Sequence, residues 1–470
     1  MSKQVTTLSL GTDPISRLLP RFAIPAIIAM TSTAIFNIVD SIFIGRGVGA
    51  LALSSMTLTM PLMSISAAFG SMVGVGAAAT TSIRLGQGNK YAAERTLGNL
   101  VLLNIVVGIM IGVVGYIVLD PVLHLFNVSE ETISKAREFM QVILAGNVIT
   151  HLYLGLNEMM RASGYPQKSM YAMLTAVAVN CILNPLFIFK FGWGIRGSAF
   201  STIIAQTLAM TISLHHFSRR DSFLHFKRHI FRFDLDIIKK ILSIGMAPFL
   251  MNLCSAIVVF FVNSALSKYD GDQYVGAFGT INRMVMLFIM IVLGLNQGMQ
   301  PIVGYNYGAR KYDRVIKAYT TTVICALCVT TTGFLISRFM PEQVARLFVK
   351  ANDADAEALV EATVYGMKYI MVMFWAVGFQ IVTGNFFQYI GKPKRAILIS
   401  MTRQMLFLVP LLHILPPLFA AHNPSDPTYG VTGVWMAQPI ADTMSVCLAG
   451  VLIFFQMRRL KRNPDSEESI

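Results

Sequence analysis

Residues 22–43 read FAIPAIIAMTSTAIFNIVDSIF, and residues 245–266 read GMAPFLMNLCSAIVVFFVNSAL. Laid over one another at an offset of 223 residues, they place Pro25 on Pro248 and Asp40 on Asn263. Each stretch is long enough to cross about 30 Å of hydrocarbon as a helix. Asp40 is the only charged residue between Arg21 and Arg46. One membrane-crossing plan is used twice, and one copy carries a carboxylate.

The rest of the chain obeys the same plan. Of its residues 54% are hydrophobic and only 13% charged, and the mean hydropathy is +0.61, far from the balance of a soluble protein. Uncharged or nearly uncharged runs recur at 20–44, 52–80, 96–119, 138–159, 169–190, 196–217, 241–266, 275–304, 317–338, 366–390, 396–418 and 430–457. These lengths predict twelve transmembrane helices and exclude a β-barrel. The polar first nineteen residues lack a small-residue cleavage pattern, so the first span is read as a retained helix and not as a signal peptide.

A net charge of +14 raises the possibility of nucleic acid, but its distribution assigns it to orientation. With the N-terminus cytoplasmic, 26 of the 38 Lys and Arg residues fall on the inner side, including seven from Arg219 to Lys240 and four from Arg458 to Arg462. That is the positive-inside pattern of a multi-pass protein of a bacterial cytoplasmic membrane with both termini inside, in contact with anionic lipid and with no nucleic-acid partner. The five cysteines all lie within predicted spans. The histidines form no metal-ligand spacing, so no metal and no cofactor is expected.

The repeat continues beyond the opening pair. RLGQGNKY (84–91) resembles NYGARKY (306–312). NEMMRASGYPQKS (157–169) resembles GNFFQYIGKPKRA (384–396), with Gly164 and Pro166 on Gly391 and Pro393. GWGIRGSAFS (192–201) resembles TYGVTGVWMA (428–437). The expected organisation is an N-lobe (1–217), a basic cytoplasmic linker (218–240), a C-lobe (241–457) and a cytoplasmic tail (458–470). The fold class is an all-α polytopic membrane protein, its twelve helices forming two pseudo-symmetric six-helix bundles around a central, outward-opening cleft. Parallel repeats of this kind hold solute sites at their interface.

A charged Asp at the bilayer centre costs about 2.5–3.5 kcal/mol on insertion scales, so Asp40 is expected to face the bundle interior and to work. Burial disfavours the charge and an opening to water restores it, so such a group can hold a proton in one conformation and release it in another. The plainer reading of Asp40 is an interhelical hydrogen bond. Asp442 and Arg283 are secondary candidates, read as able to pair with one another, as a structural ion pair or as a coupling or substrate site. Glu158, Arg161 and Arg403 read as snorkelling side chains.

Several motifs together resemble the multidrug and toxic compound extrusion (MATE) transporters: Pro25 and Asp40 in the first span, QGNKYAAERTLGN (87–99), RASGYPQKSM (161–170), NCILNPLFIF (180–189) and GIRGSAFST (194–202). The resemblance covers residues 12–460, and GMQPIVGYNYGARKYDRV (298–315) is similar to the bacterial branch with DinF-like and MepA-like exporters. It implies a secondary antiporter that exports amphipathic, often cationic, drugs or metabolites by alternating access. The driving ion is a proton, with sodium the alternative. It also implies a coupling site of Asp40, Asn180, Asn184 and Thr202, with Pro25 at a helix-1 kink and sodium, if used, at Asp40, Asn180 and Thr202. Where many relatives have a second acid this chain has Asn184, leaving one carboxylate for a hard cation that prefers more charge. Asn180 and Asn184 lie one turn apart, so their amides can orient the carboxylate. The chain is expected to be monomeric and not an enzyme. The rival readings are a lipid-linked oligosaccharide flippase of the same superfamily, which wants more basic residues in its cavity, and an intramembrane enzyme, which wants a second catalytic group.

Overall fold

The computed structural model describes residues 7–124, 129–268, 271–348, 356–423 and 429–462. The end of the expected tail, 463–470, lies outside the described residues. In chain order the helices are α1 (Ile15–Gly47), α2 (Ala50–Gly86), α3 (Lys90–His124), α4 (Glu130–Ala145), α5 (Asn147–Ala162), α6 (Pro166–Pro185), α7 (Gly194–Ser218), α8 (Leu235–Ser267), α9 (Gly271–Gly308), α10 (Tyr312–Phe339), α11 (Pro341–Phe348), α12 (Ala356–Ile370), α13 (Phe374–Tyr389), α14 (Pro393–Met401), α15 (Val409–His422) and α16 (Tyr429–Arg462). Eleven described helices or helix runs are long and apolar enough to cross a membrane. The pair α4 and α5, bent by 55° at Gly146, makes twelve. The fourth span thus begins at Glu130 and is broken at Gly146, where the side chain of Ile203 occupies the place of a Cβ and leaves room for glycine alone.

The repeated motifs fold alike. Gly164 and Gly391 adopt positive φ (96° and 72°), which favours glycine, and end one helix. Pro166 and Pro393 then start the next at a position where a missing N–H costs nothing. At the matched turn after α2 and after α9, Gly88 (φ 74°) and Arg310 (φ 56°) hold equivalent left-handed conformations. The linker is no loose tether: Lys227 pairs with Glu94 (2.7 Å), Arg95 with Asp234 (3.0 Å), and Asn99 brackets Arg232 O and Asp234 N, all on the N-terminal bundle.

The two bundles meet at the end that carries the basic loops. A Cβ on Gly86 would lie 1.9 Å from Tyr305 O, and one on Gly308 2.1 Å from Ile83 O, so α2 and α9 touch backbone to backbone about a pseudo-twofold axis. Around it, Gly76 backs on Ile241 of α8 and Gly298 on Ala23 of α1, a second pair spaced along the chain as Gly86 and Gly308 are. Along α1 the last of these approaches is Met30, whose Sδ accepts from Gln297 Nε2 at 3.7 Å. Beyond it the seam-facing stripe opens: Ile38, three turns above Ile27 on the same face, is 48% exposed. The cleft is closed at the basic end and open at the other.

Candidate functional site

Asp40 lies on the side of α1 turned away from that seam, toward α6 and α7. Its Oδ1 accepts from Asn184 Nδ2 and from Ser198 Oγ, the latter at 3.2 Å. Asn184 is fully buried and its Oδ1 has no partner, so the amide is fixed by what it gives to the carboxylate. One turn earlier on α6, Asn180 Nδ2 donates to Thr202 Oγ1 (3.1 Å), and Ser201 Oγ donates to Asn180 Oδ1 (2.8 Å). Ser198 joins the two halves, because its carbonyl accepts from the hydroxyls of Ser201 (2.8 Å) and Thr202 (3.1 Å).

All four residues expected at the site therefore gather inside one bundle, as two hydrogen-bonded pairs, Asp40 with Asn184 and Asn180 with Thr202. The residue that links them, Ser198, escaped the sequence reading; its signal was its place four residues before Thr202, on the same face of α7. The helix beneath is shaped by Pro185, after which the chain widens into a π-helical turn, Leu186–Lys190, a local irregularity frequent at functional sites. Helix α1 is continuous through Pro20 and Pro25. Among the described residues no three His, Cys, Asp or Glu side chains gather as metal ligands. For a hard cation the cluster supplies one carboxylate, the unpaired Asn184 Oδ1 and hydroxyls. For a proton it supplies one acceptor, held by donors.

The secondary candidates are rearranged. Arg283 is exposed on α9 and is not the partner of Asp442. Three turns from Gly294 on the same face, it points along the cleft side of the C-terminal bundle. Asp442, 2% exposed, is instead met by Arg403, whose Nε lies 2.8 Å from Oδ1, so Arg403 does not snorkel. Arg161 does not snorkel either: it is 3% exposed, paired with Glu158 and bonded to Asn157 Oδ1 (3.1 Å) and Ser169 Oγ (3.2 Å). Each is held by a neighbour that satisfies its charge inside the protein. Asn263, the counterpart of Asp40, is half-buried on α8.

The MatE family profile matches the chain twice, over residues 25–186 and 244–414. The chain belongs to the MatE family. Each match falls within one bundle, so the family unit is the repeat itself. Curated relatives in the MatE family include two called "Multidrug export protein MepA": from Staphylococcus haemolyticus, 25% identical over 93% of both chains, and from Staphylococcus aureus, 25% identical over 95% of both. Among solved structures the fold is similar to an outward-facing multidrug resistance MATE family transporter (TM-score 0.89, 24% identity, 98% of this chain and 100% of that one). It is equally similar to a MATE structure in the bent conformation (TM-score 0.89, 23% identity, 99% and 100%). The fold, with its two pseudo-symmetric bundles, is that of MATE transporters.

Proposed function

We propose that this protein exports amphipathic, often cationic, small molecules from the cytoplasm by alternating access, in exchange for protons that enter through Asp40. The observation that carries this reading is the carboxylate of Asp40 inside the N-terminal bundle, held by Asn184 and Ser198 and, among the described residues, hydrogen-bonded to no second acid. The relatives named as multidrug export proteins support the export. The outer opening supplies the proton and the closed basic end prevents a leak. Protonation removes a charge whose burial is costly, and that free energy biases the bundle toward the opposite opening. Exchange of one proton for one monovalent cation moves no net charge, so each pH unit of gradient contributes about 1.4 kcal/mol, or tenfold accumulation. The chain works in a bacterial cytoplasmic membrane, as a monomer with both termini inside.

The test is uptake of a fluorescent cation into inverted vesicles with a proton or a sodium gradient imposed separately. A pH gradient alone drives uptake. Strong uptake with sodium alone, and none with pH, overturns proton coupling.

A further inference from the structure

Two cations come together at the open end of the C-terminal bundle. The hydroxyl of Thr330 on α10 donates to the carbonyl of Trp375 on α13 (2.7 Å), which fixes how these two segments lie side by side. Arg338 comes eight residues after Thr330 and Lys368 seven before Trp375, so at about 1.5 Å per residue both stand on one level, about 10–12 Å past that bond. Both are exposed, and neither has a carboxylate partner among the described residues. The positive-inside pattern does not call for them, because it gathers Lys and Arg at the opposite end.

Arg338 and Lys368 line a cavity of about 360 Å³ between α10 and the junction of α12 with α13. Its sides are apolar, made by Phe334, Met367, Met371 and Val372, and both methionines are buried. Ser337 donates its hydroxyl to the Phe334 carbonyl (2.7 Å), so the donors left on the wall are Arg338, Lys368 and the hydroxyl of Tyr369. Lys368 Nζ lies 5.8 Å from the centre of the Tyr369 ring, a contact that leaves its charge unbalanced. No acidic residue is among the described residues that line the cavity. The rim is apolar and turned outward, with Leu335, Phe339 and Trp375 exposed by 44%, 76% and 44%.

Two positive charges and a phenol, with no acid beside them, suit an anion with several oxygens: the guanidinium fork takes two of them and the ammonium a third. A headgroup that carries its own ammonium would find no carboxylate to meet it. An anion without an apolar part would leave the sides of the cavity uncovered, and the exposed apolar rim belongs against acyl chains. We propose that this cavity binds an anionic phospholipid of the leaflet at the open end, with its phosphate among Arg338, Lys368 and Tyr369 and the start of an acyl chain over Met367 and Met371. The site is separate from Asp40 and holds whether or not protons drive export.

Trp375 at the rim reports the occupant. The full chain is reconstituted in phosphatidylcholine vesicles, and phosphatidylglycerol or phosphatidylcholine brominated along an acyl chain is added in rising proportion. Trp375 emission is taken as the difference between the chain and Trp375→Phe. Brominated phosphatidylglycerol half-quenches it at about a tenth of the proportion that brominated phosphatidylcholine needs, an effect within reach of two basic side chains at a lipid surface. Arg338→Gln and Lys368→Gln each cut this preference about threefold, and the two together abolish it. Arg338→Lys combined with Lys368→Arg keeps it, which separates loss of charge from loss of fold. Arg458→Gln with Arg459→Gln, at the basic end, leaves it unchanged, as does Asp40→Asn, so failure of proton coupling and failure of this site are told apart. Equal quenching by the two lipids, a preference that survives in the double glutamine variant, or one that the charge-keeping double variant loses overturns the proposal. Abolition of the preference by inorganic phosphate overturns it too, by assigning the cavity to a free anion.

Discussion

Gly86 and Gly308 are each pressed against the helix that carries the other: Gly86 against the Tyr305 carbonyl and Gly308 against the Ile83 carbonyl. The reciprocity places the pseudo-twofold axis between α2 and α9 and makes the closure of the basic end a backbone contact that no side chain can yield to. A cleft that must open at this end during transport has to part these two helices.

Gly308→Val should therefore disfavour the closed basic end, because the added Cβ would lie 2.1 Å from Ile83 O. Spin labels at Lys90 and Asp313, past the ends of α2 and α9, should report a longer mean separation in Gly308→Val than in the parent. An unchanged distance distribution would remove the seam from the gating of the cleft.

Asn184→Ala removes a hydrogen bond donated to the charged form of Asp40. Losing such a bond removes a donor that favours the carboxylate, so half-maximal efflux should move to higher pH. Asn180→Ala and Thr202→Ala act through Ser198 and should move it less. A pH profile of efflux for the three variants decides, and three unshifted profiles would place the coupling elsewhere, with Asp442 next in line.

Moving the acid across the repeat tests whether chemistry follows architecture. Asp40→Asn combined with Asn263→Asp should not restore efflux, since the Asn184 and Ser198 partners stay in the N-terminal bundle. Asn263→Asp alone should be tolerated or mildly harmful. Rescue by the exchanged acid would show that the local pocket is dispensable.

Breaking the buried Arg403 and Asp442 pair should cost about 3 kcal/mol of stability, because either single change strands a charge. Asp442→Asn should lower the unfolding midpoint clearly, and Arg283→Gln, at an exposed position, should shift it little. Equal effects from the two would restore Arg283 as the partner.

Much of this was legible in the sequence, for a physical reason. A bilayer forces every backbone polar group to pair within the segment, so span count and repeat follow from run lengths and from the motifs that recur between them. Asp40 stood out because charge inside a span is costly. The break at Gly146 was hidden because its apolar surroundings read as one continuous run, and the contact that calls for glycine there comes from Ile203, 57 residues later. The pairing of Arg403 with Asp442 was hidden because the π turn starting at Thr402 changes the face that Arg403 presents, and counting 3.6 residues per turn cannot register that. Ser198 was hidden by commonness: small hydroxyls fill the membrane helices, and its place four residues before Thr202 drew notice only once the structure set it 3.2 Å from Asp40.

Efflux by Asp40→Asn tests the central claim most directly. Wild-type chain and the variant are reconstituted at equal abundance, and export of a fluorescent cation is followed under a pH gradient with no sodium gradient. Asparagine keeps the shape and removes the switchable charge, so the variant should still bind the cation while gradient-driven export falls to background. Export at the wild-type rate by Asp40→Asn would contradict the assignment of coupling to Asp40.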